Sequence, residues 1–522
     1  MFPERIHRII YIASLVIIAV SLPLSKFGMS VGQFMLAGNW LLEAGFKKKI
    51  TSFLQNPAAL AASSMYLLFA AGLAWTSDMP EGLKDLRIKA PLFIFPLLVA
   101  TSAALRPAHF NWVIKAFISA VLVGSLISTA IWTGIYPRKV VDIRDISIFV
   151  SHIRFSLMIC LSVFLCLHFV RIEKALIYRL IASLIAGWLL LFLFILQSLT
   201  GIIIFGICGF FIAIFYSMKV KQPATKWACL LAIGISLLGI YFYAGHLHRN
   251  FFSPKSFQEQ FHGSITAHGN RYVHDTLNLQ LENGYYVWLN QCWPEVETAW
   301  AKRSTLSLDG KDLKGNDLRH TLARYLSSRG LAKDQEGISQ LSDKEIRGIE
   351  RGSANVEEAH FFRSRIHQVF WELEPRQMEG NPNGHSFSMR LEFWKTAIQI
   401  ISQNPLFGVG TGDVSAAFKN MYSEMKSPLE ERWRLRSHNQ FLTVFVGLGF
   451  FGIIFFLFTL GYPPWKGKGF SDYYYLIFIL IIAFSMLDED TLETQAGVTF
   501  FAFFNALLLF GRELESGKPN PL

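Results

Sequence analysis

Long apolar runs separated by short polar gaps fill both ends of the chain, and a polar segment from Gly245 to Arg436 lies between them. A helix that crosses a bilayer needs about 20 apolar residues. The runs before the polar segment that approach this length are Ile6–Leu24, Phe27–Leu42, Pro57–Thr76, Ala90–Ala104, Trp112–Ile135, Phe149–Val170, Leu176–Leu196, Leu199–Tyr216 and Trp227–Ala244. Those after it are His438–Leu460, Tyr473–Leu487 and Gly497–Phe510. The pattern predicts an all-α integral membrane protein with about twelve transmembrane helices and one large, mainly helical loop before the tenth.

The composition agrees with this fold class, since 52% of the residues are hydrophobic and only 17% are charged. The net charge is +11, but many of the lysines and arginines lie in short gaps between apolar runs and form no continuous stripe. Nucleic acid is therefore not expected as a partner, whereas the lipid bilayer is. The first run follows Arg5 and Arg8 without an A-x-A-like cleavage site, so we expect a retained span and not a signal peptide.

The basic residues also predict the orientation of the chain. One set of gaps holds sixteen lysines and arginines, and the alternate set holds seven. Because cytoplasmic gaps carry the excess of basic residues, both termini are expected in the cytoplasm and the large loop on the outer side. The chain then divides into residues 1–245 with nine spans, residues 246–436 forming the loop, and residues 437–522 with three spans and a cytoplasmic tail.

The first part of the loop offers no evident chemistry. Residues 246–385 are polar, with helical stretches such as Leu318–Arg329 and Asp343–Arg351. Five histidines lie between His246 and His274, but they form no H-E-x-x-H motif or tight ligand cluster. No metal site is predicted there.

The last part of the loop predicts an amphipathic helix over about 388–403, ended by Asn404-Pro405 and lying along the membrane surface. Arg390 stands at its beginning. The apolar face of this helix is Leu391, Trp394, Ala397, Ile398 and Ile401. The alternate glycines of the segment 408–413 then predict a tight turn with exposed backbone N–H groups. The spacing G-x-x-x-x-G-K-[ST] is absent, so this turn is not a P-loop.

The junction between the loop and the next apolar run carries His438. Ser437 and Gln440 have the S-x-x-Q spacing of a capping box, which predicts a helix capped by the serine with His438 in its first turn. The positive end of the helix dipole favours an anion and a neutral imidazole, with a pKa near or below ~6.5. His438 is then a candidate general base. The alternative is an interfacial polar residue that ends a span, and this stretch leaves both open.

Two arginines lie near the predicted outer ends of spans: Arg154 just inside the sixth, and Arg87 just before the fourth. An arginine near the hydrocarbon usually faces a bundle interior or a watery cavity, so both are candidate functional residues. Snorkelling towards the lipid headgroups is the alternative.

Three motifs resemble the O-antigen ligase and polymerase superfamily. They are Arg390-Leu-Glu-Phe-Trp394, then Asn404-Pro-Leu-Phe-Gly408-Val-Gly410, and then His438-Asn439-Gln-Phe-Leu442 with the glycines Gly447, Gly449 and Gly452. The layout of about twelve spans, with a large loop before the tenth, agrees with this family over the whole chain.

The resemblance implies a metal-independent, inverting glycan transferase of the bacterial inner membrane that uses no cofactor. Its donor would be a glycan linked to undecaprenyl pyrophosphate, and its large loop would be periplasmic. The acceptor stays open: lipid A core for a ligase, another glycan for a polymerase, or a protein hydroxyl for an O-oligosaccharyltransferase. By position, Arg390 and His438 are the catalytic candidates. The candidates for binding the pyrophosphate of the donor are Arg154, Arg87, Arg436 and Asn439.

The chain departs from the ligase pattern at one turn. Ligases of the family tend to have a serine-arginine pair between the seventh and eighth spans, whereas this chain reads Gln197-Ser-Leu-Thr-Gly201. Arg154 or Arg436 would then have to supply the missing charge.

Two other functions are considered. A flippase or transporter for lipid-linked oligosaccharides would use arginines in the bundle without chemistry, but it is expected to show inverted repeats and broken spans. A metal-dependent glycosyltransferase would use Asp488, Glu489 and Asp490.

Overall fold

The computed structural model describes residues 3–138, 140, 143–359, 367, 370, 371, 382, 383 and 386–513, and these residues are mostly helical. The longer helices of the first half are α1 (Glu4–Leu24), α2 (Lys26–Leu42), α3 (Phe46–Leu54), α4 (Pro57–Ala71), α5 (Met79–Lys89), α6 (Pro91–Thr101), α7 (Pro107–Trp132), α8 (His152–Ile172), α9 (Leu176–Ile195), α10 (Leu199–Lys219) and α11 (Pro223–Phe252). The shorter elements that follow are α12 (Phe257–Gln260), β1 (Leu281–Glu282), β2 (Tyr285–Tyr286), α13 (Trp293–Ala301), α14 (Leu318–Ser328), α15 (Gln335–Ser339) and α16 (Asp343–Glu350). The last helices are α17 (Ser386–Gln403), α18 (Val414–Glu424), α19 (Gln440–Lys466), α20 (Tyr473–Asp488) and α21 (Gln495–Phe510).

Eight helices among the described residues are long and apolar enough to cross a membrane. They are Glu4–Leu24, Pro57–Trp75, Pro107–Trp132, His152–Ile172, Leu176–Ile195, Leu199–Lys219, Pro223–Phe252 and Gln440–Lys466. The prediction of a multi-pass, all-α membrane protein is therefore confirmed. The total of about twelve spans stays a prediction, because four of the predicted runs correspond to shorter helices. These are α2 and α6, of 17 and 11 residues, and α20 and α21, of 16 residues each.

The chain forms two compact units, residues 1–211 with 389–522, and residues 212–388. The centre of the first unit is α21, which is buried along nearly its whole length. Its phenylalanines pack edge-on against neighbouring helices: the ring of Phe504 lies 4.8 Å from that of Phe117 on α7, and Phe503 lies 5.8 Å from Phe95 on α6. Burying rings of this size is a large part of what holds such a helix in place.

The second unit contains the polar part of the predicted loop. The helical stretches predicted from the sequence are confirmed as α14 and α16. Both have N-terminal caps: Asp317 accepts from the N–H of His320, and Ser342 with Glu345 forms a full capping box. These helices enclose an apolar core that includes Trp300, Leu322, Leu326, Ile346 and Ile349. Strands β1 and β2 pair antiparallel, with Leu281 opposite Tyr286 and Glu282 opposite Tyr285.

A break in α19 anchors the glycine-rich segment in the first unit. Gly449 has φ +67° inside the helix, a conformation that favours glycine. The N–H groups of Val409 and Gly410 donate to the carbonyl oxygens of Val446 and Gly447, at 2.9 and 2.8 Å. These backbone hydrogen bonds hold the glycine-rich segment against α19.

Two further backbone hydrogen bonds join the same segments, with the donors on α19. Phe450 and Phe451 donate their N–H groups to the carbonyl oxygens of Pro405 and Leu406, at 2.9 and 3.3 Å. Only glycine fits at the closest approach, since a Cβ at Gly408 would lie 2.5 Å from the Gly447 carbonyl carbon. The sequence predicted exposed N–H groups in this turn, and for residues 409 and 410 that was wrong because the broken helix accepts them.

Candidate functional site

The start of α19 differs from the predicted capping box. Asn439, not Ser437, is the N-cap: its Oδ1 accepts from the N–H of Leu442 at 3.1 Å. Its Nδ2 donates to the carbonyl oxygen of Leu487 at 3.0 Å. The hydroxyl of Ser437 instead donates to the Asn439 carbonyl oxygen at 2.8 Å. His438 consequently precedes the helix and does not lie in its first turn.

His438 has a left-handed backbone, with φ +47°. Such a conformation costs a non-glycine residue about 1–2 kcal/mol, so the surroundings must enforce it. The N–H of His438 donates to Oδ2 of Asp490 at 3.2 Å, and Oδ1 of the same carboxylate accepts from the Thr443 hydroxyl at 2.7 Å. Asp490 therefore pins the backbone of His438 to the start of α19. Strain that the structure holds in this way often marks a functional residue.

The segment 488–493, between α20 and α21, supplies the charges around His438. Glu489 and Asp490 are both 7% exposed, although carboxylates are seldom buried without a partner. Oε2 of Glu489 lies 3.8 Å from Nδ1 of His438, a distance that suits an ion pair better than a hydrogen bond. Nδ1 is buried and has no hydrogen-bond partner among the described residues.

Arg390 reaches the same segment from α17. Its Nε lies 3.0 Å from Oδ1 of Asp488, and its Nη2 lies 3.6 Å from Oε1 of Glu489. Glu489 thus stands between Arg390 and His438, which are 48 positions apart in the sequence. The structure brings together the two residues that the motifs selected as catalytic candidates.

Burial alone would lower the pKa of His438, but the Glu489 carboxylate and the charge of Asp490 outweigh it and raise that pKa above its ordinary value. The prediction of a pKa at or below the ordinary value was therefore wrong. The imidazole lies ahead of the cap and beside two carboxylates, where their charges dominate the helix dipole. Burial would raise the pKa of Glu489, but the neighbouring His438 and Arg390 lower it, so Glu489 is ionised near neutral pH.

Packing of α17 sets the position of Arg390. Phe393, Ala397 and Ile400 are buried in a cluster shared with α18 and α19. Leu391 and Ile398, which the sequence placed on one apolar face with Ala397, are 48% and 58% exposed. The helix therefore packs on protein through a face rotated from the predicted one. Its location along a membrane surface stays a prediction.

Two aromatic side chains connect α17 to the junction. The indole N–H of Trp394 donates to the carbonyl oxygen of Ser437 at 3.0 Å. The ring of Phe393 lies 5.6 Å from the imidazole of His438. These two residues, one helical turn after Arg390, thus hold α17 next to the histidine.

Arg154 lies on α8 with its Nε near Gly497 of α21, where the charges of Glu489 and Asp490 act on it. The turn 197–201, which lacks the ligase arginine, contacts the same helix. Ser156, one half-turn further along α8, accepts a hydrogen bond from Ser198 at 2.9 Å. Within that turn Thr200 donates to Oδ2 of Asp488 at 2.5 Å. Arg154 binds Ser151 through Nη1 at 3.0 Å, while its Nε is buried without a hydrogen-bond partner among the described residues. The Nε–H group of Arg154 is therefore available to donate a hydrogen bond to a phosphate oxygen.

The remaining candidates differ in their surroundings. Arg436 pairs with Glu493 through Nη1 at 2.8 Å and donates to the Ser415 hydroxyl. Arg87 is exposed on α5. Two residues further along, Lys89 is buried against Glu493 at 2.9 Å.

Sequence reasoning named Glu489 and Asp490 only for a metal-dependent alternative, not as partners of His438, and it missed Lys89 and Glu493. The one available signal was the run Asp488-Glu489-Asp490 between two apolar helices, since carboxylates next to hydrocarbon usually have partners.

Within the described ranges, no group of three or more His, Cys, Asp or Glu side chains is arranged to hold a metal ion.

These features define a multi-pass helical membrane protein with a partly buried cluster of arginine, histidine and carboxylates where α19 begins. The family model described as O-antigen ligase matches residues 348–457, a stretch that contains Arg390, His438 and the glycine-rich segment. This match confirms the resemblance to the O-antigen ligase superfamily. No curated protein matches the chain significantly.

Proposed function

We propose that this protein transfers a glycan from undecaprenyl pyrophosphate to an acceptor hydroxyl at the periplasmic face of the inner membrane. The observation that carries this proposal is the meeting of Arg390 and His438 at one carboxylate, Glu489. The two residues lie within the stretch that matches the O-antigen ligase model.

His438 acts as the general base. With Nδ1 facing Glu489 at 3.8 Å, a proton on Nδ1 is favoured and Nε2 is left with its lone pair. Nε2 takes the proton of the acceptor hydroxyl as that oxygen attacks the anomeric carbon. Glu489 then stabilises the imidazolium, as the acidic partner of a histidine does in other base mechanisms. Catalytic contacts of this kind often shorten only when substrate binds.

The arginines stabilise the leaving group. As the new glycosidic bond forms with inversion, the bond between the anomeric carbon and the phosphate oxygen breaks and its electron pair leaves with the pyrophosphate. Nε of Arg390 lies 3.0 Å from Oδ1 of Asp488. In the complex with the lipid-linked glycan, the pyrophosphate would take over that contact. Guanidinium groups suit phosphate because they donate two parallel hydrogen bonds.

Asn439 has a different role in this proposal. Its amide already binds the N–H of Leu442 and the carbonyl oxygen of Leu487, so it keeps His438 in place.

The acceptor class is open among lipid A core, another glycan and a protein hydroxyl. Surface-glycan analysis of a deletion strain separates them: core without long chains indicates a ligase, core with a single repeat a polymerase, and unglycosylated protein an oligosaccharyltransferase.

In the metal-dependent alternative, the carboxylates of the acidic segment would have to bind a metal ion. The Asp488 and Glu489 carboxylates face Arg390 and His438, and Asp490 binds Thr443 and the His438 N–H. In our proposal these carboxylates orient the side chains of Arg390 and His438. A chelator is therefore expected to leave transfer by the purified protein unchanged. Loss of transfer on chelation, restored by a divalent cation, would support the metal enzyme instead.

The orientation of the chain predicts which positions are reachable from outside. A cysteine substituted for Gly310 is expected to react with a membrane-impermeant maleimide in cells with a permeabilised outer membrane. One substituted for Lys48 is expected not to react until the inner membrane is opened. Labelling of the Lys48→Cys protein in intact inner membranes would overturn the periplasmic placement of the loop and, with it, the proposed side of the reaction.

Arg154 is expected to supply the positive charge that the turn 197–201 lacks. Arg154→Ala should lower kcat/KM by about tenfold to a hundredfold, while Arg154→Lys should keep part of the activity, because a point charge still neutralises phosphate but lacks the bidentate fork. Membrane insertion of both variants is checked by fractionation. Full activity of Arg154→Ala would show that this side chain only snorkels.

A further inference from the structure

A buried cluster of two cations and two carboxylates lies next to the site. Nζ of Lys89 lies 2.6 Å from Oδ1 of Asp85 and 2.9 Å from Oε2 of Glu493. The same oxygen of Glu493 lies 2.8 Å from Nη1 of Arg436. The side chain of Lys89 is only 1% exposed, with the ring of Phe69 at 4.7 Å on one side.

Such a cluster contributes little net free energy to the stability of the fold. Removing several charges from water costs about as much as their attraction returns, and apolar side chains of similar volume are often as good. What a buried ion cluster supplies is a fixed geometry, because each charge must stay beside its partner. Here the two formal charges of each sign cancel.

Glu493 connects the ion cluster to the start of α19. Its Oε1 accepts from the side-chain amide of Gln440 at 3.1 Å, and Oε1 of Gln440 accepts from the N–H of Leu492 at 2.7 Å. Gln440 is the first residue of α19 and follows His438 by two positions. The segment 489–493 is therefore fastened to the helix start at Asp490 and again at Glu493.

We propose, on the basis of the proposed function, that Lys89 is a positioning residue for glycan transfer: by holding Glu493, it keeps Glu489 opposite the imidazole of His438. Lys89 lies on α5, outside the stretch that matches the family model. Its ion partners are Asp85 and Glu493, not His438 or Glu489. Its influence passes through a loop that it shares with the catalytic carboxylate.

The acid limb of the pH profile reports this arrangement. The charged groups that act on His438 are Glu489 and Asp490 from the loop, Asp488 at the end of α20 and Arg390 from α17. Arg154 of α8 acts on Glu489. If the loop loosens, Glu489 moves away and the base becomes easier to deprotonate. The pH below which transfer is lost then falls. A general loss of folded protein would lower the rate at every pH without moving the limb.

The test measures release of undecaprenyl pyrophosphate against pH by each purified variant, with membranes of a deletion strain supplying donor and acceptor. Lys89→Met, which keeps length and removes charge, is expected to lower kcat about tenfold and to move the acid limb down by about one pH unit, the lower end of what an adjacent opposite charge contributes. Glu493→Gln is expected to move it in the same direction. Lys84→Met is the matched control, because Lys84 is exposed on the same helix and has its own acidic partner, Glu81.

The outcomes separate the two proposals. An acid limb in Lys89→Met or Glu493→Gln at the wild-type pH overturns the positioning role, even if the rate is lower. If Lys89→Met does not fold, the limb of Glu493→Gln decides alone. If His438→Ala keeps wild-type turnover, the proposed function itself fails, whatever the two loop variants show.

Discussion

Replacing His438 by alanine is expected to lower kcat for glycan transfer by about 10²–10⁴, the contribution of a positioned general base, with binding of the lipid-linked donor nearly unchanged. The base acts on the acceptor's proton only as the new bond forms, so its loss affects the transition state and not the bound donor. Single-turnover kinetics together with equilibrium binding of the donor separate the two quantities.

The left-handed backbone at His438 requires a second variant. Alanine at φ +47° is strained, so a lower rate could come from a displaced loop. Asparagine tolerates this conformation and cannot take the proton. His438→Asn should therefore lose as much turnover as His438→Ala while unfolding like the wild type. Wild-type turnover in His438→Asn, or a loss confined to donor affinity, would make the histidine a binding residue.

The same assignment fixes the pH dependence of the wild-type protein. An imidazolium cannot accept a proton, so transfer is present above the pKa of His438 and is lost as the pH falls through it. Because Glu489 and Asp490 raise that pKa, the acid limb is expected above the ordinary histidine value of about 6.5. A limb below that value would mean that the two carboxylates do not act on the base.

Replacing Arg390 by alanine is expected to weaken donor binding and to slow turnover together, with kcat/KM lower by about 10²–10³ for the loss of one such electrostatic contact. The charge of the pyrophosphate is present in the bound donor and increases as the bond breaks, so both stages need the guanidinium. Arg390→Lys should keep part of the activity, since it retains the charge but not the two parallel donors.

Lys395 provides the matched control for Arg390. It lies on the same helix, its side chain is 63% exposed, and its nearest acidic partner is Glu392 at 3.8 Å. Lys395→Ala should therefore leave both donor binding and turnover unchanged. A fall in kcat for Arg390→Ala with unaltered donor affinity would argue that Arg390 only orders Asp488 and Glu489 and does not touch the pyrophosphate.

Much of this architecture was predictable because a bilayer restricts the chain to helices with apolar surfaces. The runs beginning at Ile6, Leu176 and Leu199 differ from α1, α9 and α10 by only a few residues at either end. The run Ala90–Ala104 was less informative, because a short helix of 11 residues accounts for it. Length and hydropathy alone do not distinguish a short buried helix from a span.

The site was only partly predictable, for reasons of distance and local geometry. Arg390 and His438 stand in motifs, so their spacing selected them. Lys89 and Glu493 are 404 positions apart, and no local pattern connects them. The capping box failed for a local reason: Asp490 holds the His438 backbone in a left-handed turn, which makes Asn439 the cap. Sequence spacing does not show such a contact.

The most direct test of the central claim is whether undecaprenyl pyrophosphate is released. The purified protein, reconstituted in nanodiscs, is mixed with membranes of a deletion strain that contain the lipid-linked donor and the acceptor, and the lipids are followed by mass spectrometry. The wild type is predicted to release undecaprenyl pyrophosphate in step with formation of the glycosylated acceptor, and His438→Asn to release almost none. If the wild type leaves the donor intact, or if His438→Asn releases the lipid as fast as the wild type, the proposed transfer mechanism is contradicted.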